Sequence, residues 1–214
     1  MEDIALQMIE CADVIFFDFD GVIKESVEVK TNAFVNLFYR FGDKITDRVR
    51  KHHQAHCGMS RLEKIPLYLQ WAGVDSSMVD FYCDQFALSV VDKVIKSPWT
   101  LGVERYLRIN PNNQTFILVS ATPQIEMEKI LHELDLISTF QMIYGAPTKK
   151  KDAISMSVNY LSADPENCLM IGDSNEDYLA AKINSISFLL RLNSTNCQLY
   201  KSYTGITIND FMML

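Results

Sequence analysis

The sequence lacks three features that would associate it with a membrane or a nucleic acid. No apolar run reaches the roughly 18 residues that a transmembrane helix needs. The segment 1–11 carries acids and no basic region, so we expect no secretory signal. Basic residues are few, since Lys+Arg 20 against Asp+Glu 27 gives a formal net charge of −7. We therefore expect no nucleic-acid or membrane partner, although one pocket of hydrogen-bond donors would still accommodate a small anionic substrate.

The cysteines are too scattered to form a disulfide framework. There are five, an odd number, and no two form a CxxC pair. Free thiols in a reducing compartment, and hence a cytoplasmic location, are the expectation. The chain also has no internal repeat and no low-complexity segment. Its 48% hydrophobic and 22% charged residues are typical of a globular protein with a large core.

Short apolar runs alternate with helical patterns along the chain. Each run is uninterrupted, which is typical of strands in a parallel sheet that is buried on both faces. The runs are Val14–Phe17, Phe116–Val119, Met142–Tyr144, Cys168–Ile171 and Ile186–Leu190. We predict an α/β fold with a doubly wound, Rossmann-like parallel sheet.

The first two predicted strands are separated by far more chain than one crossover connection needs. Within this gap, the spacing of apolar residues predicts helices over Val27–Phe41, Leu62–Trp71 and Met78–Ile95. The Ser97-Pro98 dipeptide then returns the chain to the sheet. The sequence therefore predicts a helical insertion after the first strand.

Polar residues follow four of the predicted strands at the point where each strand ends. Asp18 and Asp20 follow the first strand and Ser120 the second. Three lysines, 149–151, come after the third strand, and Asp173 comes after the fourth. Because ligands bind at the carboxyl ends of the strands of an open parallel sheet, we expect these residues to form one site. Each of them alone is also compatible with a turn or a helix N-cap.

Four motifs in this order resemble those of the haloacid dehalogenase-like hydrolases, in particular the phosphoglycolate phosphatase and β-phosphoglucomutase-like subfamily. The motifs are Asp18-Phe19-Asp20-Gly21-Val22, Val119-Ser120-Ala121-Thr122, Gly145-Ala146-Pro147-Thr148-Lys149-Lys150 and Gly172-Asp173-Ser174 with Asp177. The predicted insertion lies where this family places a helical cap. The resemblance implies a core domain over residues 1–24 and 92–214, and a cap domain over residues 25–91.

Residue chemistry and the resemblance together predict roles for the acidic residues. Asp18 is ionised at neutral pH and is the predicted nucleophile toward phosphorus. The resemblance implies that Asp20 is the general acid and base. Asp18, Asp173 and the backbone carbonyl of Asp20 would hold Mg²⁺, a hard cation that prefers oxygen ligands.

The phosphate group needs donors in addition to the cation. We expect the Ser120 hydroxyl and the neighbouring backbone N–H of Ala121 to bind phosphoryl oxygens. One lysine of the cluster would neutralise a further oxygen, and the spacing from Pro147 favours Lys150. Asp177 is expected to orient that lysine or a metal-bound water.

The loop Gly58-Met59-Ser60-Arg61 resembles a cap loop of β-phosphoglucomutase-like members. Arg61 is therefore a candidate for binding a remote anionic or polar group of the substrate. The alternative is structural, because Ser60 and Glu63 have the spacing of a capping box that begins the next helix. Both interpretations remain open for Arg61, whereas the capping role is favoured for Ser60.

A histidine-rich segment precedes this loop and raises the possibility of zinc. It contains His52, His53, His56 and Cys57. No second cluster with ligand spacing accompanies these residues, so a polar helix face is the favoured interpretation.

The predicted function is a cytoplasmic, Mg²⁺-dependent phosphatase, monomeric or weakly dimeric. It would hydrolyse a small phosphomonoester metabolite through an aspartyl-phosphate, with sugar phosphates or phosphoglycolate as substrates by analogy. Lys30 occupies the position where related mutases tend to carry His, which favours hydrolysis. A β-phosphoglucomutase-like phosphomutase is the alternative, and a non-catalytic phosphate-ligand binding protein is the second alternative.

Overall fold

A six-stranded parallel sheet forms the centre of the protein. The computed structural model describes residues 2–214, and in it the strands lie in the order β3-β2-β1-β4-β5-β6. Their bounds are β1 Val14–Phe17, β2 Thr115–Pro123, β3 Met142–Ala146, β4 Cys168–Gly172, β5 Ser187–Arg191 and β6 Thr207–Ile208. All five pairings are parallel. The predicted doubly wound fold is confirmed, and the short β6 is an addition to it.

Helices cover both faces of this sheet. Both faces are apolar because successive side chains of a strand point to opposite sides of the sheet. In β1, Ile15 and Phe17 lie in one hydrophobic cluster, whereas Val14 and Phe16 lie in the other. The helices are α1 Glu2–Cys11, α2 Val27–Phe38, α3 Asp43–Ala55, α4 Arg61–Ala72, α5 Val79–Lys96, α6 Val103–Ile109, α7 Gln124–Glu133, α8 Lys150–Leu161 and α9 Asn175–Ile183. Helices α1, α6 and α7 pack on the first face, and α8 and α9 on the second.

Helices α2–α5 form the insertion between β1 and β2. Their aromatic side chains meet in one core, in which Phe34 packs against Tyr68 and Phe86 with ring centroids 5.5 and 4.1 Å apart. Three of these helices match the predicted ones to within a few residues, and α3 was not delimited by the sequence patterns. No helix in the described part of the chain is both long and apolar enough to cross a membrane.

The chain enters and leaves the insertion side by side. The Glu25 N–H donates to the Pro98 carbonyl over 2.9 Å, and the Thr100 N–H donates to the Ile23 carbonyl over 3.0 Å. The Lys24 ammonium lies 4.2 Å from the centroid of the Trp99 ring, which adds a cation–π contact. The insertion is therefore joined to the sheet by two adjacent chain segments that are hydrogen-bonded to each other.

Candidate active site

Asp18 lies immediately after β1, one of the two central strands, at the edge of the sheet where the strands have their carboxyl ends. Its backbone N–H donates to the Ile171 carbonyl of β4 over 3.0 Å, which extends the sheet pairing by one residue. Its side chain is buried, and Oδ1 accepts the Phe19 N–H over 2.7 Å. The carboxylate is thus held in a fixed direction at the end of the sheet.

Lys150 is the lysine of the 149–151 cluster that meets this carboxylate. Its buried Nζ lies 2.9 Å from Asp18 Oδ2 and 2.5 Å from Asp177 Oδ1, while Lys149 and Lys151 are exposed. Burial alone would lower the pKa of Lys150, but the charges of Asp177 and Asp18 outweigh it and raise that pKa. The ammonium therefore stays charged at neutral pH, beside the predicted nucleophile.

Three buried carboxylates gather around this single ammonium. Ligand oxygens of Asp18, Asp173 and Asp177 all lie within 4.8 Å of one another. Burial raises the pKa of Asp18 to about 7, opposed by Lys150 and assisted by repulsion from other acids. Burial, followed by the charge of Asp18, also raises the pKa of Asp173 well above its usual value. Both shifts have the sign expected where negative charge is incompletely neutralised.

A divalent cation fits this donor set. When all three carboxylates are ionised, one ammonium leaves two negative charges unneutralised, and carboxylate oxygens are the ligands that Mg²⁺ prefers. Gly21 adds a steric observation, because its φ is +79° and a Cβ there would lie 2.1 Å from Asp173 Oδ2. The turn after β1 therefore requires glycine so that it can approach the Asp173 carboxylate.

Asp173 is held by a loop that the sequence patterns did not indicate. Asn193, after β5, donates from Nδ2 to Asp173 Oδ2 over 2.9 Å. Asn196 donates to the Asp173 backbone carbonyl over 2.8 Å. On the other side, Ser174 and Asp177 form the capping box that begins α9. The Asn193–Asn196 spacing carries no metal or catalytic motif, so only the structure identifies these supports.

Asp20 has a separate set of partners. The Ser26 hydroxyl donates to Asp20 Oδ1 over 2.5 Å, and Lys30 forms an ion pair with Oδ2. Lys30 Nζ also lies 2.7 Å from Thr122 Oγ1. The Asp20 side chain is therefore outside the cluster of three carboxylates, and it is held by α2 and by the end of β2.

Ser120 lies near the end of β2, and it is buried. Its hydroxyl accepts the Thr122 N–H over 3.2 Å, and Ala121 lines the same small cavity as Asp18, Asp20 and Asp173. Neither Ser120 nor Thr122 is a helix N-cap, because α7 begins at Gln124 and its N-cap residue is Pro123. Ala121 is thus positioned beside the carboxylates, and the buried Ser120 directly precedes it.

Comparison with known proteins identifies the family. Residues 15–190 match the model of a family described as haloacid dehalogenase-like hydrolases. The chain belongs to the haloacid dehalogenase-like hydrolases. No curated protein sequence matches it.

Solved structures show the same fold at low sequence identity. β-Phosphoglucomutase from Clostridium difficile is 20% identical with a TM-score of 0.70, covering 95% of this chain and 93% of that one. CbbY from Rhodobacter sphaeroides in complex with phosphate is 15% identical with a TM-score of 0.75, covering 94% and 95%. A haloacid dehalogenase-like family hydrolase from Streptococcus pneumoniae is 16% identical with a TM-score of 0.69, covering 95% and 96%.

In this haloacid dehalogenase-like hydrolase, Arg61 has a partner that the sequence did not indicate. Its guanidinium is buried and forms a two-pronged ion pair with Glu126 of α7. Ser60 caps α4 by accepting the Leu62 N–H over 3.3 Å, as predicted. Glu63 takes no part in a capping box, since it is exposed and pairs with Lys149. Arg61 nevertheless lines the same cavity as Asp20, so its predicted substrate contact stays a prediction.

Within the described residues of the hydrolase, the histidines form no group with metal-ligand geometry. His52 pairs with the Tyr68 hydroxyl, His53 with Lys64, and His56 with Glu176. Within residues 2–214, the group with metal-ligand geometry is the aspartate cluster. The interpretation of this segment as a polar face is wrong for His53, which is buried.

Proposed function

We propose that this protein is a Mg²⁺-dependent phosphatase that hydrolyses a small phosphomonoester through an aspartyl-phosphate on Asp18. The observation that carries the proposal is the placement of Lys150 Nζ between Asp18 Oδ2 and Asp177 Oδ1, at 2.9 and 2.5 Å. A buried nucleophilic carboxylate beside a charged donor is what attack on a phosphate dianion requires.

The chain's own residues would bind the phosphoryl group. The Lys150 ammonium neutralises one phosphoryl oxygen, and the Ser120 hydroxyl with the Ala121 N–H binds another. Asp177 keeps Lys150 charged and directed toward Asp18. Because Asp18 is held by the Phe19 N–H and by Lys150, its carboxylate needs little reorganisation before it attacks phosphorus.

The residues that would hold Mg²⁺ are Asp18, Asp173 and the backbone carbonyl of Asp20. When bound, the ion supplies positive charge that keeps the buried carboxylates ionised and offsets their repulsion of phosphate. The net negative charge of the aspartate cluster supports this assignment.

Asp20 would act as the general acid and base. In the first step, an Asp18 carboxylate oxygen bonds to phosphorus to form an acyl phosphate, the P–O bond to the leaving group breaks, and the Asp20 carboxyl proton goes to the leaving oxygen. In the second step, the Asp20 carboxylate takes a proton from the water that attacks the aspartyl-phosphate. Ser26 and Lys30 hold this carboxyl group in place.

The insertion would act as a cap over this site, with domain boundaries at residues 1–24 and 92–214 for the core and 25–91 for the cap. The cavity that contains Asp18 and Asp20 has a volume of about 20 Å³, so the insertion leaves only a small space beside the reacting groups. Small metabolites are the substrates that suit such a site, and the proposal includes a cytoplasmic, monomeric or weakly dimeric protein.

The proposal is tested by phosphate release from a panel of small phosphomonoesters with Mg²⁺, in the wild type and in Asp18→Asn. We expect selective release by the wild type, loss of at least 10³-fold in the variant, and loss with EDTA. No release from any ester would contradict the proposal. Isomerised sugar phosphates would then indicate the mutase, and binding without turnover would indicate the non-catalytic alternative.

A further inference from the structure

Lys64, on α4 of the insertion, is a buried lysine that the proposed chemistry does not use. It is 1% exposed and lines a cavity of about 30 Å³ together with Asp20, Lys30 and Arg61. Its Nζ lies 2.8 Å from Nδ1 of His53, which is on α3. This cavity adjoins the catalytic residues on the side of the insertion, where the part of the substrate that is not transferred would lie.

Lys64 differs from the other cations of this cavity in its partners. Arg61 is paired with Glu126 and Lys30 with Asp20, whereas no carboxylate within residues 2–214 forms an ion pair with Lys64. Burial lowers the pKa of Lys64 to about 7. A buried ammonium without a counter-ion is costly, and an anionic ligand would remove that cost.

His53 supplies a second donor at the same place. Nδ1 accepts from the Lys64 ammonium, so in the neutral imidazole the proton is on Nε2. Nε2 is buried and has no hydrogen-bond partner of ordinary geometry among the described residues, although the Val27 backbone lies close enough to the ring to raise the pKa of His53 against the effect of burial. His53 also lines the smaller cavity that contains Asp18 and Asp20. The pair therefore presents a charged donor and a neutral N–H donor close to the reacting groups.

We propose that Lys64 and His53 form a specificity-determining site for a carboxylate on the leaving part of the substrate. This inference rests on the proposed phosphatase function and narrows its substrate to phosphomonoesters of short hydroxy acids. The cavity has room for about two water molecules, which is enough for a carboxylate group.

The test is direct binding to the Asp18→Asn protein with saturating Mg²⁺, measured by titration calorimetry. The probes are two matched pairs of phosphate esters, and within each pair one ester has a carboxylate where the other has a hydroxymethyl group. The pairs are phosphoglycolate with 2-hydroxyethyl phosphate, and 3-phosphoglycerate with glycerol 3-phosphate. We expect the carboxylate member of at least one pair to bind about 10- to 100-fold more tightly. Adding Lys64→Met should reduce that ratio to about one, and adding Lys149→Met, the same change at an exposed lysine, should leave it unchanged.

Three results would overturn this inference: equal or weaker binding of both carboxylate esters, a ratio that survives Lys64→Met, or no binding of any of the four esters. Lys64→Gln serves as a second variant if Lys64→Met fails to fold. The ratio of affinities for the carboxylate and hydroxymethyl esters is also measured in the Asp18→Asn protein itself, which carries no change at Lys64. Because binding is measured without turnover, a failure of the phosphatase proposal would appear separately, as absent phosphate release by the protein with Asp18 intact.

Discussion

At the scale of single residues, the side chains behind the carboxylates are as informative as the carboxylates themselves. Asp173 would otherwise be free to turn toward any neighbouring donor, but Asn193 binds Oδ2 and Asn196 binds the backbone carbonyl. Partners of this kind fix the direction of a metal-ligating group. The loop after β5 therefore belongs to the site although none of its residues would contact the substrate.

Asn193→Ala is predicted to weaken Mg²⁺ binding by about 10- to 100-fold, because it frees the Asp173 carboxylate from its donor. Titration calorimetry of Mg²⁺ into the metal-free protein measures this directly. Asn112→Ala, at an exposed position, is the matched control and should bind Mg²⁺ like the wild type. Equal affinity of Asn193→Ala and the wild type would contradict a positioning role.

Sequence patterns predicted the residues at strand ends and missed those whose role depends on distant partners. Asp18 and Asp173 follow buried apolar runs, and Lys150 stands at a fixed distance from Pro147, so one-dimensional spacing is sufficient for them. Lys64 meets a histidine 11 positions away and Asn193 meets an aspartate 20 positions away. Their burial and contacts arise from tertiary packing, and no local spacing encodes them.

At the scale of secondary-structure elements, the contact between the α3–α4 loop and α9 controls how closely the insertion approaches the sheet. Gly58 lies in this loop, and a Cβ there would be 2.5 Å from Ser174 Oγ and 2.8 Å from Glu176 Cβ. Real Cβ atoms do not approach other heavy atoms so closely, so the loop and the start of α9 require glycine at this point.

Gly58→Ala is predicted to move the insertion away from α9 and to lower kcat/KM by about 10-fold or more, because small displacements of positioned groups are costly to catalysis. Phosphate-release kinetics measure the effect, and Gly58→Val should lower kcat/KM further. A thermal melt within a few degrees of the wild type would exclude general unfolding as the cause. Unchanged kcat/KM in both variants would show that this contact does not determine the active arrangement.

At the scale of the whole molecule, the aspartate cluster makes the metal-free protein sensitive to pH. The pKa of Asp18 is about 7 in the folded protein, above its usual value, so folding favours its protonated form. The stability from this group is complete below the unfolded pKa near 4 and is lost as the pH rises through about 7. Until a cation binds, the free-energy cost of the ionised, buried carboxylates is therefore offset by stabilising interactions in the rest of the protein.

Asp18→Asn is therefore predicted to be more stable than the wild type in EDTA at pH 7.5, by about 1–3 kcal/mol, because the amide removes a buried charge. The difference should grow between pH 4 and 7 and shrink with Mg²⁺. Urea unfolding across this pH range measures it. Asp92→Asn, at an exposed position of α5, should change the free energy of unfolding by less than about 0.5 kcal/mol. A less stable Asp18→Asn protein in EDTA would contradict the prediction.

The paired connections of the insertion have a consequence for how this enzyme family diversifies. Since the Glu25 N–H bonds to the Pro98 carbonyl over 2.9 Å, deleting the chain between them would leave ends that a short turn can join. The order of the strands would not change, and the aspartates would remain at the ends of their strands. Replacing helices α2–α5 would therefore change the ligand preference and leave the aspartates in place, provided that the new segment supplies a group that holds Asp20 as Lys30 of α2 does here.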